Sequence, residues 1–136
     1  MRDIKLIVVH CTATKEGRVT TIDEVRQWHK ARGWRDIGYH YLIYINGQVV
    51  KGRAEQEIGA HAQGYNRQSI GVCYVGGLDN QGKPKDTRTD AQKASLVGLL
   101  KELKNRYPDA KIVGHHDLNK GKACPCFNAK EEYKEL

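Results

Sequence analysis

The chain contains no apolar run approaching the roughly 20 residues that a membrane-spanning helix needs. Its opening stretch, MRDIKLIVVH, is too short in apolar residues for a secretory leader. These absences argue against a membrane partner and lead to the expectation of a protein made in the cytoplasm with reduced thiols. Internal repeats, low-complexity tracts and linkers are also missing, which leaves one domain over residues 1–136. The four cysteines, Cys11, Cys73, Cys124 and Cys126, form neither a C-x-x-C pair nor a dense disulfide framework. No nucleic-acid motif occurs and the aromatics fall mostly in strand or helix patterns, so nucleic acid is not an expected partner. Acidic residues are in deficit: 16 Asp and Glu against 23 Lys and Arg give a net charge of +7. Such a surface suits a polyanion, whether an anionic membrane face or a carboxylate-rich wall polymer, and equally serves solubility alone.

What is present alternates strand and helix patterns. Ile4 to Val9 reads as a buried strand ending at His10. Thr21-x-x-Glu24 is a capping box that opens a helix running to Gly33. Tyr39 to Ile45, the turn Asn46-Gly47 and Gln48 to Val50 read as a hairpin. Ile70 to Val75 is a further strand. Thr89-x-x-Gln92 caps a long helix with Leu96, Leu99, Leu100 and Leu103 at helical spacing. Lys111 to Gly114 is a last strand, again followed by histidine, and Asn128-x-x-Glu131 caps a C-terminal helix. The order β-α-β-β-β-α-β-α predicts an α/β domain: a single mixed sheet with helices packed against it.

Two strands thus end in histidine, His10 and His115, and Cys124 follows in a loop. Two neutral imidazoles and one thiolate suit Zn²⁺, and three protein ligands leave a fourth position open, as catalytic zinc sites do. Taken singly, a strand-end histidine is usually a satisfied polar residue and a lone cysteine a small buried hydrophobe.

The stretches VVHCTAT, TIDEVRQWHKARGWRDIGYHYLIYINGQVVKGR, GAHAQGYNRQSIGVCYVGG and GHHDLNKGKACPCF change that balance. In order and spacing they resemble zinc-dependent N-acetylmuramoyl-L-alanine amidases, in particular the small lysozyme-type amidases of phages. Peptidoglycan recognition proteins share that superfamily. The resemblance implies one zinc held by His10, His115 and Cys124, with Tyr39 and Lys122 beside it as catalytic residues. It also implies a substrate groove lined by His61, Tyr65 and Asn66. The implied reaction is hydrolysis of the amide between N-acetylmuramic acid and the L-alanine of the stem peptide, by a monomeric phage or prophage endolysin. Such an enzyme reaches the wall once the inner membrane is breached. A non-catalytic muropeptide-binding module is the alternative, and the presence of Cys124, Tyr39 and Lys122 together favours catalysis. Regulation of an RNA polymerase, known in a relative, has no independent support in these residues.

Two departures from the phage pattern stand out. The segment from His115 to Cys124 is one residue longer, which affects the reach of Lys122, and Cys126 replaces a serine, reading as an inert loop thiol. His29 is expected on a solvated helix face, and His40 on the face opposite Tyr39. His116 is not expected to be a ligand, because successive side chains at a strand end point apart.

Overall fold

A computed structural model describes residues 2–136. Its main sheet has the order β4-β3-β5-β1-β7, built from β1 (Leu6–Cys11), β3 (Tyr41–Ile43), β4 (Val49–Lys51), β5 (Ser69–Tyr74) and β7 (Lys111–Gly114). β3, β5, β1 and β7 run parallel and the edge strand β4 runs antiparallel to β3. One main mixed sheet was the expectation, and it holds. A small parallel pair, β2 (Thr14–Lys15) with β6 (Gly77–Leu78), adds a second sheet inside segments that read as loop. Two-residue strands carry too little apolar alternation to register in a sequence.

Helices cover both faces, so the central strands are apolar on both sides. On one face Ile7, Val9, Ile70 and Val72 meet α2 (Asp90–Arg106) through Leu96, Leu99, Leu100 and Leu103. Burying each such leucine contributes about 1.5–3 kcal/mol. On the other face Leu42, Cys73 and Val75 meet Val25 of α1 (Ile22–Ala31) and Ile37. Both predicted capping boxes form, with the Thr21 and Thr89 hydroxyls accepting from Glu24 N and Gln92 N. Each is worth about 1 kcal/mol. The Asn128 side chain likewise caps α4 (Ala129–Glu132).

The C-terminal segment is anchored by Arg88. Its guanidinium lies 3.4 Å above the Phe127 ring, pairs with Asp86 and Glu132, and donates to the Tyr133 hydroxyl. Among the described residues, no helix is long and apolar enough to cross a membrane.

Strand bounds differ from the expected ones in a way that matters. β1 does not end before His10 but runs on through it to Cys11. Its last residues, His10 and Cys11, pair with Cys73 and Tyr74 of β5, while its partner β7 stops two residues earlier, at Gly114 opposite Val9. His10 is therefore the first β1 residue released from β7, at the carboxyl edge of the parallel strands.

Candidate metal centre

The end of β7 sets the site. Gly114 is the N-cap of a short helix, α3 (His115–Leu118), and its N–H donates to Asp117 Oδ2 at 2.8 Å. Because Gly114 faces Val9, the next residues His115 and His10 become neighbours, with ring centroids 4.6 Å apart. α3 then turns into a loop that returns alongside it, held by His116 N donating to Cys124 O at 2.8 Å and Lys122 N to Asn119 O at 3.0 Å. That return brings Cys124 back to β1. Its sulfur accepts the Cys11 backbone N–H at 3.1 Å and lies 3.9 Å from His10 Nδ1.

One donor atom from each of His10, His115 and Cys124 lies within 4.8 Å of the others. A tetrahedral zinc with ordinary Zn–N and Zn–S bonds spaces an imidazole nitrogen and a thiolate by about 3.5 Å. The His10–Cys124 separation is close to that. Burial, with His61, His115 and His29 nearby, holds the His10 imidazole well below its ordinary range. Burial and the Lys122 ammonium lower His115 as well. Both rings are neutral at neutral pH, the form that ligates a metal.

The His10 ring is itself held from behind. Its Nδ1 is turned to Cys124 and its Nε2 lies 2.8 Å from His61 Nδ1, while His61 Nε2 lies 3.1 Å from the buried Ser69 hydroxyl. With Nδ1 given to a metal, Nε2 would carry the proton and donate to His61, and His61 Nε2 to Ser69. Space for His61 comes from Gly71, where a Cβ would lie 2.7 Å from the imidazole. So His61, expected in a substrate groove, sits mainly as the outer partner of His10, the position that fixes a ligand's tautomer. Burial holds its imidazole down at about 3. Nothing local in the sequence signals this, because the contact is made across β5.

His29 is a clear correction. It is 7% exposed, not solvated, and its Nδ1 accepts the Gly38 N–H at 2.8 Å. Its ring packs edge-on against Tyr39 and Trp34, and Tyr39 in turn tilts against His10 at 5.1 Å. The spacing Ile22, Val25, His29 is an inward helical stripe, and that signal was available. Burial, with the Cys73 and Cys124 thiols nearby, pushes the Tyr39 hydroxyl well above its ordinary range. It remains a proton donor. His40 lies apart from Tyr39's contacts: its Nδ1 accepts from Gly71 N and its Nε2 donates to Glu57 O.

A cavity of about 420 Å³ opens at His115, lined also by Arg32, Trp34, His61, Asn66 and Lys122 among others. Lys122 thus shares a wall with His115 despite the longer loop. Asn66 lines the cavity too, but its Oδ1 accepts from His61 N and Ala62 N, both at 2.9 Å, and so shapes the loop. Tyr65 is half-buried and is not part of the lining. His116 points away, its Nδ1 donating to Lys122 O at 2.6 Å. The reason is the roughly 100° step of a helical turn, not strand alternation.

Comparison with known proteins places this arrangement in company. Residues 1–127 match the family described as N-acetylmuramoyl-L-alanine amidase. The chain is 46% identical to the endolysin of Enterobacteria phage K11 over 126 residues, 93% of this chain and 83% of that one. It is 46% identical to the endolysin of Escherichia phage T7 over 129 residues, 95% of this chain and 85% of the relative. Among solved structures it is similar to the amidase LysC from Clostridium intestinale, with a TM-score of 0.83 at 31% identity over 97% of this chain and 83% of that one.

Proposed function

The chain belongs to the N-acetylmuramoyl-L-alanine amidase family, and from that premise we propose that it hydrolyses the muramoyl–L-alanine amide of peptidoglycan with one zinc ion held by His10, His115 and Cys124. The observation that carries the reading is the convergence of those three donors, one of which, His115, lines a cavity together with Lys122. The donor set fits the ion: two neutral imidazoles and a soft sulfur, the last held in place by the Cys11 backbone N–H. Bound zinc supplies Lewis acidity at the scissile carbonyl and brings the pKa of water down to about 7.

The chain's own groups do the rest. His61 and Ser69 keep the proton on His10 Nε2, leaving Nδ1 as the ligating atom. Tyr39, protonated and braced by His29, donates a hydrogen bond toward the oxygen that gains negative charge. Lys122 offers a positive charge to the same oxygen from the cavity wall. The loop from His61 to Asn66 forms the opposite wall and holds the stem peptide, and the basic surface suits the carboxylates of the wall polymer.

Purified peptidoglycan is expected to release stem peptides with a new L-alanine amino terminus and no new reducing sugar ends. The purified protein should carry one zinc per chain, and a chelator should abolish release until zinc is returned. New reducing ends without free peptides would refute the amidase reading, and full activity in the metal-free protein would refute the zinc.

Tyr39→Phe and Lys122→Ala separate chemistry from metal binding. Each is expected to keep its zinc and lose about 10²–10³ in kcat, the usual cost of one oxyanion donor, with KM little changed. A rise in KM alone would make the residue a substrate-positioning group.

A further inference from the structure

Beside the metal centre lies a pair of sulfurs that the chemistry above does not use. Cys11 is the last residue of β1 and is buried; Cys126 lies two residues beyond Cys124 and is half-buried. Their Sγ atoms are 3.9 Å apart although 115 residues separate them in sequence. Gly77 makes room for the Cys11 sulfur, from which a Cβ there would lie 2.5 Å, and borders that of Cys126 at contact distance, 3.7 Å. Neither thiol belongs to the donor group at the centre. Cys11 serves that centre through its backbone N–H, while its sulfur lies between those of Cys124 and Cys126.

Two thiols in contact across distant segments need only small side-chain rotations to reach the roughly 2.0 Å of a disulfide bond. We propose that Cys11 and Cys126 form a redox pair that closes to a disulfide on meeting a low-molecular-weight disulfide, stapling the loop that carries Cys124 to the end of β1. The more accessible Cys126 attacks one sulfur of the reagent, forming a mixed disulfide and releasing one reagent thiol. Cys11 then attacks the Cys126 sulfur, forming the Cys11–Cys126 bond and releasing the second. Two electrons pass to the reagent, and the two protein thiol protons end on its two thiol products. Cys124 stays out of the bond. The pairing stands on the sulfur geometry and does not depend on the zinc reading. An oxidising compartment is where such a staple persists.

The neighbouring Cys124 sulfur and burial push the Cys11 thiol up, and contact with Cys11 together with burial pushes Cys126 up, so the exchange is slow and incubation must be long. The zinc-loaded protein is incubated overnight with oxidised glutathione at about pH 8, alkylated, and digested with trypsin without reductant. Trypsin leaves Cys11 in Leu6–Lys15, Cys73 in a separate peptide, and Cys124 and Cys126 together in Ala123–Lys130, where fragmentation before Pro125 separates the two. The expected product links Leu6–Lys15 to Cys126 with Cys124 alkylated, and Tm rises by about 5–10 °C. Cys126→Ser should show neither link nor rise while its reduced form melts like the parent. Alkylation of both thiols, a glutathione adduct alone, a link through Cys124, or a link with no rise in Tm would each overturn the staple.

Discussion

Cys124→Ser is expected to lose zinc and amidase activity together. The thiol sits where a soft donor is needed, 3.9 Å from His10 Nδ1, with the Cys11 N–H already aimed at it. A serine hydroxyl is not ionised at neutral pH and is a harder, poorer ligand, so two imidazoles alone must hold the ion. Losing an outer partner of a ligand costs roughly 10–100-fold in metal affinity, and losing the ligand itself exceeds that. Zinc titration should therefore rank the variants. His61→Ala loses about 10–100-fold in affinity, Cys124→Ser and His115→Ala lose more than that, and His116→Ala binds like the parent. Zinc and activity retained in Cys124→Ser would move the third ligand to Cys126. Retention in His115→Ala with loss in His116→Ala would reverse the reading of α3.

The metal-free protein is expected to lose stability steeply as pH falls from about 6.5 to about 4. His29 and His40 are held down at about 4 and His61 at about 3, each chiefly by burial. Unfolded, the same imidazoles titrate near 6.5, so between those values the unfolded chain binds more protons than the folded one. The stabilisation is complete above about pH 6.5 and lost as pH drops toward the folded values. At 1.36 kcal/mol per pH unit, a fully buried ring such as His40 is worth about 3 kcal/mol, and three are a large share of the roughly 5–15 kcal/mol that holds a domain together. Denaturant midpoints of the chelated protein at stepped pH should be level between about pH 7 and 8 and fall below. The ion-paired carboxylates Glu55, Asp86 and Glu132 are held below their ordinary values and lose their charge only at still lower pH. A flat profile down to about pH 5 would mean that these rings are charged or solvated in the folded protein.

The regular elements were legible because each carried its own local signal. Capping boxes opened α1 and α2, Leu96–Leu103 repeated with helical period, and Asn46-Gly47 marked the hairpin. The three donors were legible through resemblance, and the fold supplies the mechanical reason they meet, the two-residue extension of β1 beyond the end of β7. His61 and Ser69 were not legible in their roles, because a loop residue stacked over Gly71 leaves no trace in spacing. His29 was misread from its charged neighbours Arg26 and Lys30, although the stripe from Ile22 through Val25 pointed inward. The exit of His116 was foreseen, but its cause lies in α3, which is too short to show a period.

The offset between β1 and β7 also governs when the enzyme can exist. His10 and Cys124 are separated by 114 residues, and His115 reaches His10 only through parallel pairing of the first strand with the last. Parallel pairing over such separations closes late, after the entropy of a long loop has been paid. Until β7 has paired with β1, nothing brings His115 and Cys124 to His10, so the donor group is a late product of folding and an incompletely paired sheet has none.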